Sequence, residues 1–456
     1  MLSYHIQTFG CSMNYSDTER MEAYLDALGM KKHDGFEGAD FIMFNTCSIK
    51  QKAEDKVYGH LKKMKELKRK NPNLQVVITG CMVRESSSRY SVKRDKLFSR
   101  LNNLDIALRI EELPKLASLA REVNPDLYLK EIPEESLEHY FQIDASHSSY
   151  EHKAQAFVAI SNGCDKFCTY CIVPYSRGRE KSRKLEDILK EVSGLVENGC
   201  KEVTLIGQTV NSYGLGNYDK KQGTFKELGD KEPFVYLLEE LDKSGLERVR
   251  FTSPHPKDMS DQLIEAMTNL KTQMPYLHLP VQAGDNGVLK RMNRTYTVEK
   301  FKDITKKLRE KIPGISITTD IIVGFCGETE EEFKKTYDFF EEQGFEHAYI
   351  SQYSERTGTT AQKFIKDDIS PKVKKERWHK LNDLLKINSK TALERFIDKT
   401  VNVLVESQNK KACLGRSEHF KTVQFESGRN LIGEIVPVKI TGAKEWTLHG
   451  ELGYYD

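Results

Sequence analysis

From Ala156 onward the chain repeats one pattern six times: a short apolar run, a polar or glycine-bearing segment, then an amphipathic stretch. The apolar runs are "AFVAIS", "EVTLIGQ", "RVRFTS", "YLHLPV", "ISITTDIIVGF" and "HAYISQYS". Stretches such as "EDILKEVSGLVENG" and "EEEFKKTYDFFEEQGF" carry apolar residues at helical spacing. Strands alternating with helices pair in parallel, because each helix carries the chain back to the end at which the last strand began. Six such units predict a parallel sheet or an incomplete (β/α)6 barrel. Function then gathers at the strands' carboxyl ends, where "GQTVNSYG", "SPHPKD", "QAGDNG", "CGETEE" and "SERTGT" follow.

A shorter alternation precedes it. "SYHIQTFGC", "DFIMFNTC" and "LQVVITGC" read as strands around the helical "SDTERMEAYLDALG" and "KAEDKVYGHLKKMKELKRKNP", which predicts an N-terminal parallel α/β sandwich. Ser16 and Glu19 have capping-box spacing, Met21, Tyr24, Leu25 and Leu28 share a helical face, and "KKMKELKRK" reads as a solvated face, with a basic RNA-facing surface as the alternative. Each strand ends in a cysteine: Cys11, Cys47 and Cys81. Ligands collect outside the carboxyl ends of parallel strands, so these three can converge despite spacings of 36 and 34 residues. Cysteine also packs well as a small apolar residue, and spacing alone leaves both readings open. At the other end, "TVNVLVES", "KTVQFES" and "EIVPVKITGA" predict a small all-β barrel. The expected organisation is 1–121, an aperiodic linker 122–149, a core 150–383 and a barrel domain 384–454.

With 38% hydrophobic and 30% charged residues the chain has the composition of a soluble protein, and no apolar run approaches the ~20 residues of a membrane span. The start, "MLSYHIQTFGC", lacks the marks of a secretory signal, so a cytoplasmic setting is expected. Nine cysteines in that setting are reduced ligands or core residues rather than a disulfide framework. A net charge of +2, and seven Lys/Arg against seven Asp/Glu from Val401 onward, mean that any nucleic-acid footprint must be local.

"SNGCDKFCTYCIVPYSRGRE" places Cys164, Cys168 and Cys171 within eight residues. Structural zinc sites close with four protein ligands in paired spacings, and this spacing does not supply them. A [4Fe–4S] cluster held by three thiolates leaves one iron open. S-adenosylmethionine can occupy that iron through its amino and carboxylate groups, which sets its sulfonium beside the cluster for one-electron cleavage.

In order along the chain, "GCSMNYSDTE", "NTCSIKQKAEDKVYG", "GCDKFCTYCIVPYSRGREKSR", "VTLIGQTVNSYG", "SPHPKD", "HLPVQAG", "TDIIVGFCGETEE" and "YSERTGTTA" resemble the radical S-adenosylmethionine methylthiotransferases, and most closely their MiaB type, which modifies tRNA. The resemblance covers nearly all 456 residues. It implies an N-terminal methylthiotransferase domain, a radical S-adenosylmethionine core and a C-terminal RNA-binding TRAM domain. It also implies that Cys11, Cys47 and Cys81 hold an auxiliary [4Fe–4S] cluster, making two clusters in all. One S-adenosylmethionine would methylate a sulfur associated with the auxiliary cluster. A second, at the Cys164, Cys168 and Cys171 cluster, would be cleaved to a 5′-deoxyadenosyl radical that takes hydrogen from C2 of N6-isopentenyladenosine beside the anticodon. The implied partners are the tRNA anticodon loop, a reducing electron donor and a sulfur or cluster donor protein, with no membrane.

Other positions carry two readings. Tyr170 packs on the cofactor's adenine or is an ordinary core aromatic. Gly207, Gln208, Asn211, Ser253 and Gln282 lie after strands, where the cofactor's polar groups would be met and where turn chemistry alone also places such residues. Asp320 and Arg356 shape the reaction chamber or pair with neighbouring charges. His255 in "SPHP" reads as a local structural residue, with a catalytic role open. Cys326 stands where the family usually has proline, and Ser12 where glutamine is frequent. Cys200, Cys326 and Cys413 are read as non-ligands because two triads are complete without them. The competing functions are methylthiolation of threonylcarbamoyladenosine in tRNA, methylthiolation of a ribosomal-protein aspartate, and a noncatalytic iron–sulfur RNA-binding role. "GCSMN", "CTYCIVPYSRGRE" and "NSYG" favour the tRNA type over the ribosomal-protein enzyme and argue less strongly against the threonylcarbamoyladenosine enzyme.

Overall fold

A computed structural model describes residues 1–47, 51–132, 140–145, 147 and 152–453. Residues 133–139, 146, 148 and 149 of the expected linker 122–149, and the expected boundary at residue 150, lie outside the described residues. The chain forms two compact units. One comprises 1–149 with 162–165 and 171–183; the other holds the remainder.

In the first unit, strands Ser3–Thr8, Phe41–Thr46, Gln75–Gly80 and Ile106–Leu108 run parallel as neighbours, flanked by Lys31–Lys32 on one edge and an antiparallel Ser87–Ser88 on the other. Phe41–Thr46 and Gln75–Gly80 are buried at every position, as expected for central strands covered on both faces. The helix Ser12–Ala27 buries Met21, Tyr24, Leu25 and Leu28, the face read from spacing. Its start differs from expectation. Cys11 is the N-cap, with the Asn14 side chain accepting from the Cys11 N–H at 3.2 Å, and Ser16 and Glu19 are buried inside the helix. The strand-end cysteine already has extended geometry, so the helix begins five residues earlier than the capping-box spacing indicated. In helix Gln51–Lys70, Val57, Leu61 and Met64 are buried and most of the lysines face solvent.

The second unit contains six parallel strands in sequence order. Gln155–Ala159, Glu202–Ile206 and Arg248–Phe251 form one half, and Tyr276–His278, Ser316–Val323 and His347–Gln352 the other, with a parallel bridge from Val249 to Gln273 between them. Alternate residues point to two different environments. Val158, Val203, Leu205, Val249, Leu277, Ile317 and Ile321 pack in one apolar core with helix residues such as Ile188, Leu238, Ile264, Phe301 and Phe340. The intervening residues on the opposite face include Glu202, Arg250, His278, Asp320 and Tyr349. A closed barrel fills its interior with branched apolar side chains, whereas this inner face is polar, with Glu202 and Arg250 buried and His278, Asp320 and Tyr349 partly open.

Helix Pro371–Glu394 runs across the expected 383/384 boundary. Beyond it, Thr400–Asn409, Ala412–Ser417, Thr422–Glu426, Thr447–Leu452 and Ile435–Lys444 close a five-stranded barrel around Val403, Cys413, Val423, Val438 and Leu448. The inner-face arginines of the six-stranded core hold this barrel by its backbone. Arg248 donates to the carbonyls of Asn402 and Arg416, and Arg250 to those of Ser417 and Glu418. Arg250 is in turn paired with buried Glu202 at 2.9 Å. Among the described residues, no helix is long and apolar enough to cross a membrane.

Candidate functional site

The three strand-end cysteines of the first unit are brought to neighbouring positions by strand register. Thr46 pairs with Gly80, and the Cys81 N–H donates to the Thr46 carbonyl at 2.8 Å, so Cys47 and Cys81 leave adjacent strands at one level. A β-carbon on Gly10 would lie 2.9 Å from Cys47 Cβ, which brings the chain before Cys11 against Cys47. Cys47 and Cys81 are buried, while Cys11 keeps solvent access. Crowding by protein raises the Cys11 thiol pKa; Cys81 adds to the rise and Arg177 opposes it, so all three groups are electrostatic neighbours.

Arg177 is the residue that sequence reasoning missed here. Its guanidinium is 2% exposed, and Nε donates to Cys81 Sγ at 3.5 Å. Nη2 meets the Asp17 carboxylate at 2.5 Å, and Nη1 donates to Asn162 Oδ1 at 3.0 Å. Burial alone would lower its pKa, but Asp17, Cys81 and Tyr140 hold it well above the ordinary value. "YSRGRE" contains this arginine, yet nothing in that string separates a buried guanidinium from a solvated one.

The second cysteine set lies in the loop after strand Gln155–Ala159. Cys164 and Cys171 belong to the first unit and Cys168 to the second. Cys164 and Cys168 are buried and Cys171 is half-buried. On the first side, the Cys164 N–H donates to the Gly178 carbonyl, and a β-carbon on Gly163 (φ +82°) would lie 2.2 Å from the Arg179 carbonyl oxygen. On the second side, residues 166–170 are pinned by the segment after helix Asn286–Arg291. Thr169 bonds the carbonyls of Arg291 and Met292, and the Asn293 amide donates to those of Lys166 and Phe167. Arg294, also missed in the sequence, donates to Cys168 Sγ at 3.4 Å while bonding the Pro280 carbonyl and the Tyr296 hydroxyl.

Among the described residues no group of three or more His, Cys, Asp or Glu side chains is set to hold a metal ion. A cubane has its irons at separate corners, and its thiolates do not converge on one point. Two sets of three soft thiols, each with a buried N–H donor aimed at one sulfur, fit such a group by ligand chemistry and by the hydrogen bonds that tune it.

At the carboxyl ends of the core strands, Ser161 Oγ, Gln208 Oε1 and His255 Nε2 are buried without hydrogen-bond partners among the described residues. These orphaned groups suit a polar ligand such as S-adenosylmethionine. Burial, reinforced by the charges of Arg294, Lys166 and Lys257, holds the His255 pKa well below the usual histidine range. Its Nδ1 accepts from the Lys257 N–H, so the neutral ring carries its proton on Nε2, the orphaned atom. A β-carbon on Gly207 would lie 2.6 Å from Ser161 Oγ, so glycine there keeps the approach to that hydroxyl open. Asn211 is tied to the His255 backbone at both ends of its amide, at 2.7 and 3.0 Å, and shapes the loop that presents the ring. Ser253 and Gln282 hold left-handed backbone conformations (φ +56° and +76°), uncommon for non-glycine residues and concentrated at functional turns. Tyr170 is half-buried, edge-on to Phe325 at 6.4 Å. Asp320 lies 3.4 Å from His278 on the inner face. Arg356 is half-buried, and its carbonyl accepts from the Thr359 hydroxyl. Cys200, Cys326 and Cys413 are packed in apolar cores, where burial pushes the Cys200 thiol up to about 11.

Residues 3–99 match the uncharacterized protein family UPF0004, 158–340 the radical SAM superfamily and 394–452 the TRAM domain. Proteins called tRNA-2-methylthio-N(6)-dimethylallyladenosine synthase are similar across almost the whole chain. That of Thermoanaerobacter sp. (strain X514) is 42% identical, over 99% of this chain and 93% of its own. The one from Acetivibrio thermocellus is 40% identical, over 98% and 90%, and the one from Oceanobacillus iheyensis 41%, over 98% and 83%. Among solved structures, the radical S-adenosylmethionine methyltransferase TsrM of Kitasatospora setae is similar in fold, with a TM-score of 0.52 over 77% of this chain and 72% of that one at 13% identity. The chain therefore belongs to the tRNA-2-methylthio-N(6)-dimethylallyladenosine synthase family, within the radical SAM superfamily.

Proposed function

We propose that the protein adds a methylthio group to C2 of N6-isopentenyladenosine beside the anticodon of tRNA. The observation that carries this reading is the 40–42% identity, over 98–99% of the chain, to synthases named for that product. Superfamily membership implies S-adenosylmethionine and one [4Fe–4S] cluster. We assign Cys164, Cys168 and Cys171 to that cluster, and Cys11, Cys47 and Cys81 to a second, auxiliary one. When bound, the clusters supply the electron that cleaves S-adenosylmethionine and the sulfur that is transferred.

The protein's own groups hold and orient the reactants. Arg294 and Arg177 each place an N–H on a cysteine sulfur, which stabilises the thiolate form. Neutral His255 offers its Nε2–H, and Ser161 and Gln208 offer polar atoms, to a ligand at the strand ends, and we assign the half-buried Tyr170 to the cofactor's adenine. A ring C–H gives a general base nothing acidic to remove, so the chain's task is to keep water and competing hydrogen donors out of the chamber. The C-terminal barrel grips the RNA, whose unpaired loop bases can be unstacked and inserted. We place the work in the cytoplasm, with a reducing electron donor and a sulfur or cluster donor protein as partners, and take residues 1–121, 150–383 and 384–454 as the functional divisions.

The test is anaerobic reaction of reconstituted protein with tRNA carrying or lacking the isopentenyl group, followed by mass spectrometry of the nucleosides. Thiomethylation of the prenylated tRNA is expected. Equal turnover of both tRNAs would remove prenyl recognition, and modification of a ribosomal protein alone would overturn the reading.

A further inference from the structure

Two large aromatic side chains of the second unit are exposed on the rim of one cavity. Tyr349, on the inner face of strand His347–Gln352, is 62% exposed; Trp446, in the turn between Ile435–Lys444 and Thr447–Leu452, is 44% exposed. The cavity between them has a volume of about 270 Å³. Its floor is the ring pair Tyr276 and Phe420, 4.7 Å apart, and Arg416 lies over Phe420 at 4.9 Å.

Ordinary packing does not account for this arrangement. The chain's other tryptophan, Trp378, is packed against the core and donates its indole N–H to the Ile350 carbonyl. Trp446 stays exposed, and its ring contact is the edge of His347 at 5.7 Å. His347 also meets Tyr349 edge-on at 5.0 Å, so the three rings form a continuous rim. Aromatic rings thus make up much of the wall, with the Arg416 guanidinium beside them; Glu346 and Lys421, which also line the cavity, are paired with each other, and the volume is at the small end of ligand cavities. Exposed aromatics next to arginine are what unstacked RNA bases bind.

We propose that this cavity, between the edge strand His347–Gln352 and the C-terminal barrel, is a stacking site for an unpaired base of the RNA substrate other than the one modified, with Trp446 and Tyr349 as its platforms. The proposal rests on the tRNA reading above. Tyr349 is three residues, about 10 Å, from the carboxyl end of its strand. Tyr276 and His347 open their strands, so a base held here lies roughly 10 Å or more from an adenosine inserted at the strand ends, and stacking it fixes how far the loop is drawn into the chamber.

The experiment measures anaerobic binding of an isopentenylated anticodon stem-loop RNA, carrying 2-aminopurine at successive loop positions, to the full chain and to Trp446→Ala, Trp446→Phe and a Trp446→Ala/Tyr349→Ala double variant. Affinity of the double variant should fall by roughly fivefold or more, the loss expected when the stack of one base is removed. One loop position should be quenched on wild-type binding and not on binding of the double variant, while Trp446→Phe should stay near wild type. Affinity within twofold of wild type in the double variant, or quenching that survives it, would overturn the stacking site. If the wild-type protein thiomethylates tRNA and the double variant binds equally well, only this inference falls. If the wild-type protein does not bind the stem-loop, the tRNA reading falls and takes the stacking site with it.

Discussion

Cys164, Cys168 and Cys171 lie within eight residues of one loop, whereas Cys11, Cys47 and Cys81 come from three strand ends up to 70 positions apart; each set has a buried arginine with an N–H on one sulfur. The arginines are held differently. Arg294 leans on neutral partners, the Tyr296 hydroxyl and the Pro280 carbonyl, while Arg177 is locked to the Asp17 carboxylate. A local set needs only its loop and the segment that pins it. An assembled set needs the register of a whole parallel sheet, and its arginine carries a charge that the fold must neutralise.

Removing each set of thiols separates them most sharply. Replacing Cys164, Cys168 and Cys171 by alanine should abolish 5′-deoxyadenosine formation. Replacing Cys11, Cys47 and Cys81 should leave cleavage intact and eliminate thiomethylated product. Iron should be about eight per reconstituted chain and fall to about four in either triple variant. Loss of cleavage in both variants, or about four irons in the wild type, would collapse the comparison into a single site.

A smaller effect comes from one glycine beside each set. A β-carbon at Gly80 (φ +87°) would sit 2.2 Å from the Thr46 carbonyl oxygen, and one at Gly163 would meet that of Arg179 at the same distance. Both contacts are to backbone, and left-handed strain adds to the clash, so Gly80→Ala and Gly163→Ala should each cost on the order of 3 kcal/mol. The outcomes should differ in kind. Gly80→Ala breaks the register between two central strands and should lower the cooperative unfolding midpoint along with auxiliary iron. Gly163→Ala distorts a loop and should lose the other cluster's iron with less change in global melting. Equal losses of melting temperature would show that both sets depend on the sheet.

Sequence made the local set readable and left the assembled one ambiguous, for a physical reason. Three thiols in eight residues have few structural excuses, whereas a cysteine at the end of a buried strand looks the same whether it packs or ligates. Parallel alternation correctly anticipated the core strands; their polar inner face went unread, although its period of two is present in the string "RVRF". The start of the first helix was misread, since Ser16 and Glu19 match a capping box and only the geometry at Cys11 shows that the helix is already running. Arg177 and Arg294 were invisible because arginine is a surface residue by default, and what makes these two special is burial beside a sulfur. The pairing of Trp446 with Tyr349 likewise joins positions nearly a hundred residues apart.

The finest test of the comparison leaves every thiol in place and changes only the donors. Arg177→Lys and Arg294→Lys keep a positive charge but lose the planar fork, so the N–H to sulfur is weakened while gross electrostatics survive. Hydrogen bonds to cluster sulfurs raise reduction potential, so each variant should shift one cluster to a more negative value by on the order of tens of millivolts and leave the other unmoved. Arg177→Met goes further than Arg294→Met. It strands the Asp17 carboxylate, which is 1% exposed, and breaking a buried ion pair from one side costs ~3–5 kcal/mol, whereas the partners that Arg294→Met abandons besides its sulfur are neutral and cost ~1–3 kcal/mol. Electron paramagnetic resonance of the dithionite-reduced clusters, titrated against potential, reads the shift, and thermal melting reads the stability difference. Equal destabilisation by the two methionine variants would mean that Asp17 finds another partner when Arg177 is gone. A potential shift in both clusters from either lysine variant would mean that the arginines act through the fold rather than on their own sulfurs.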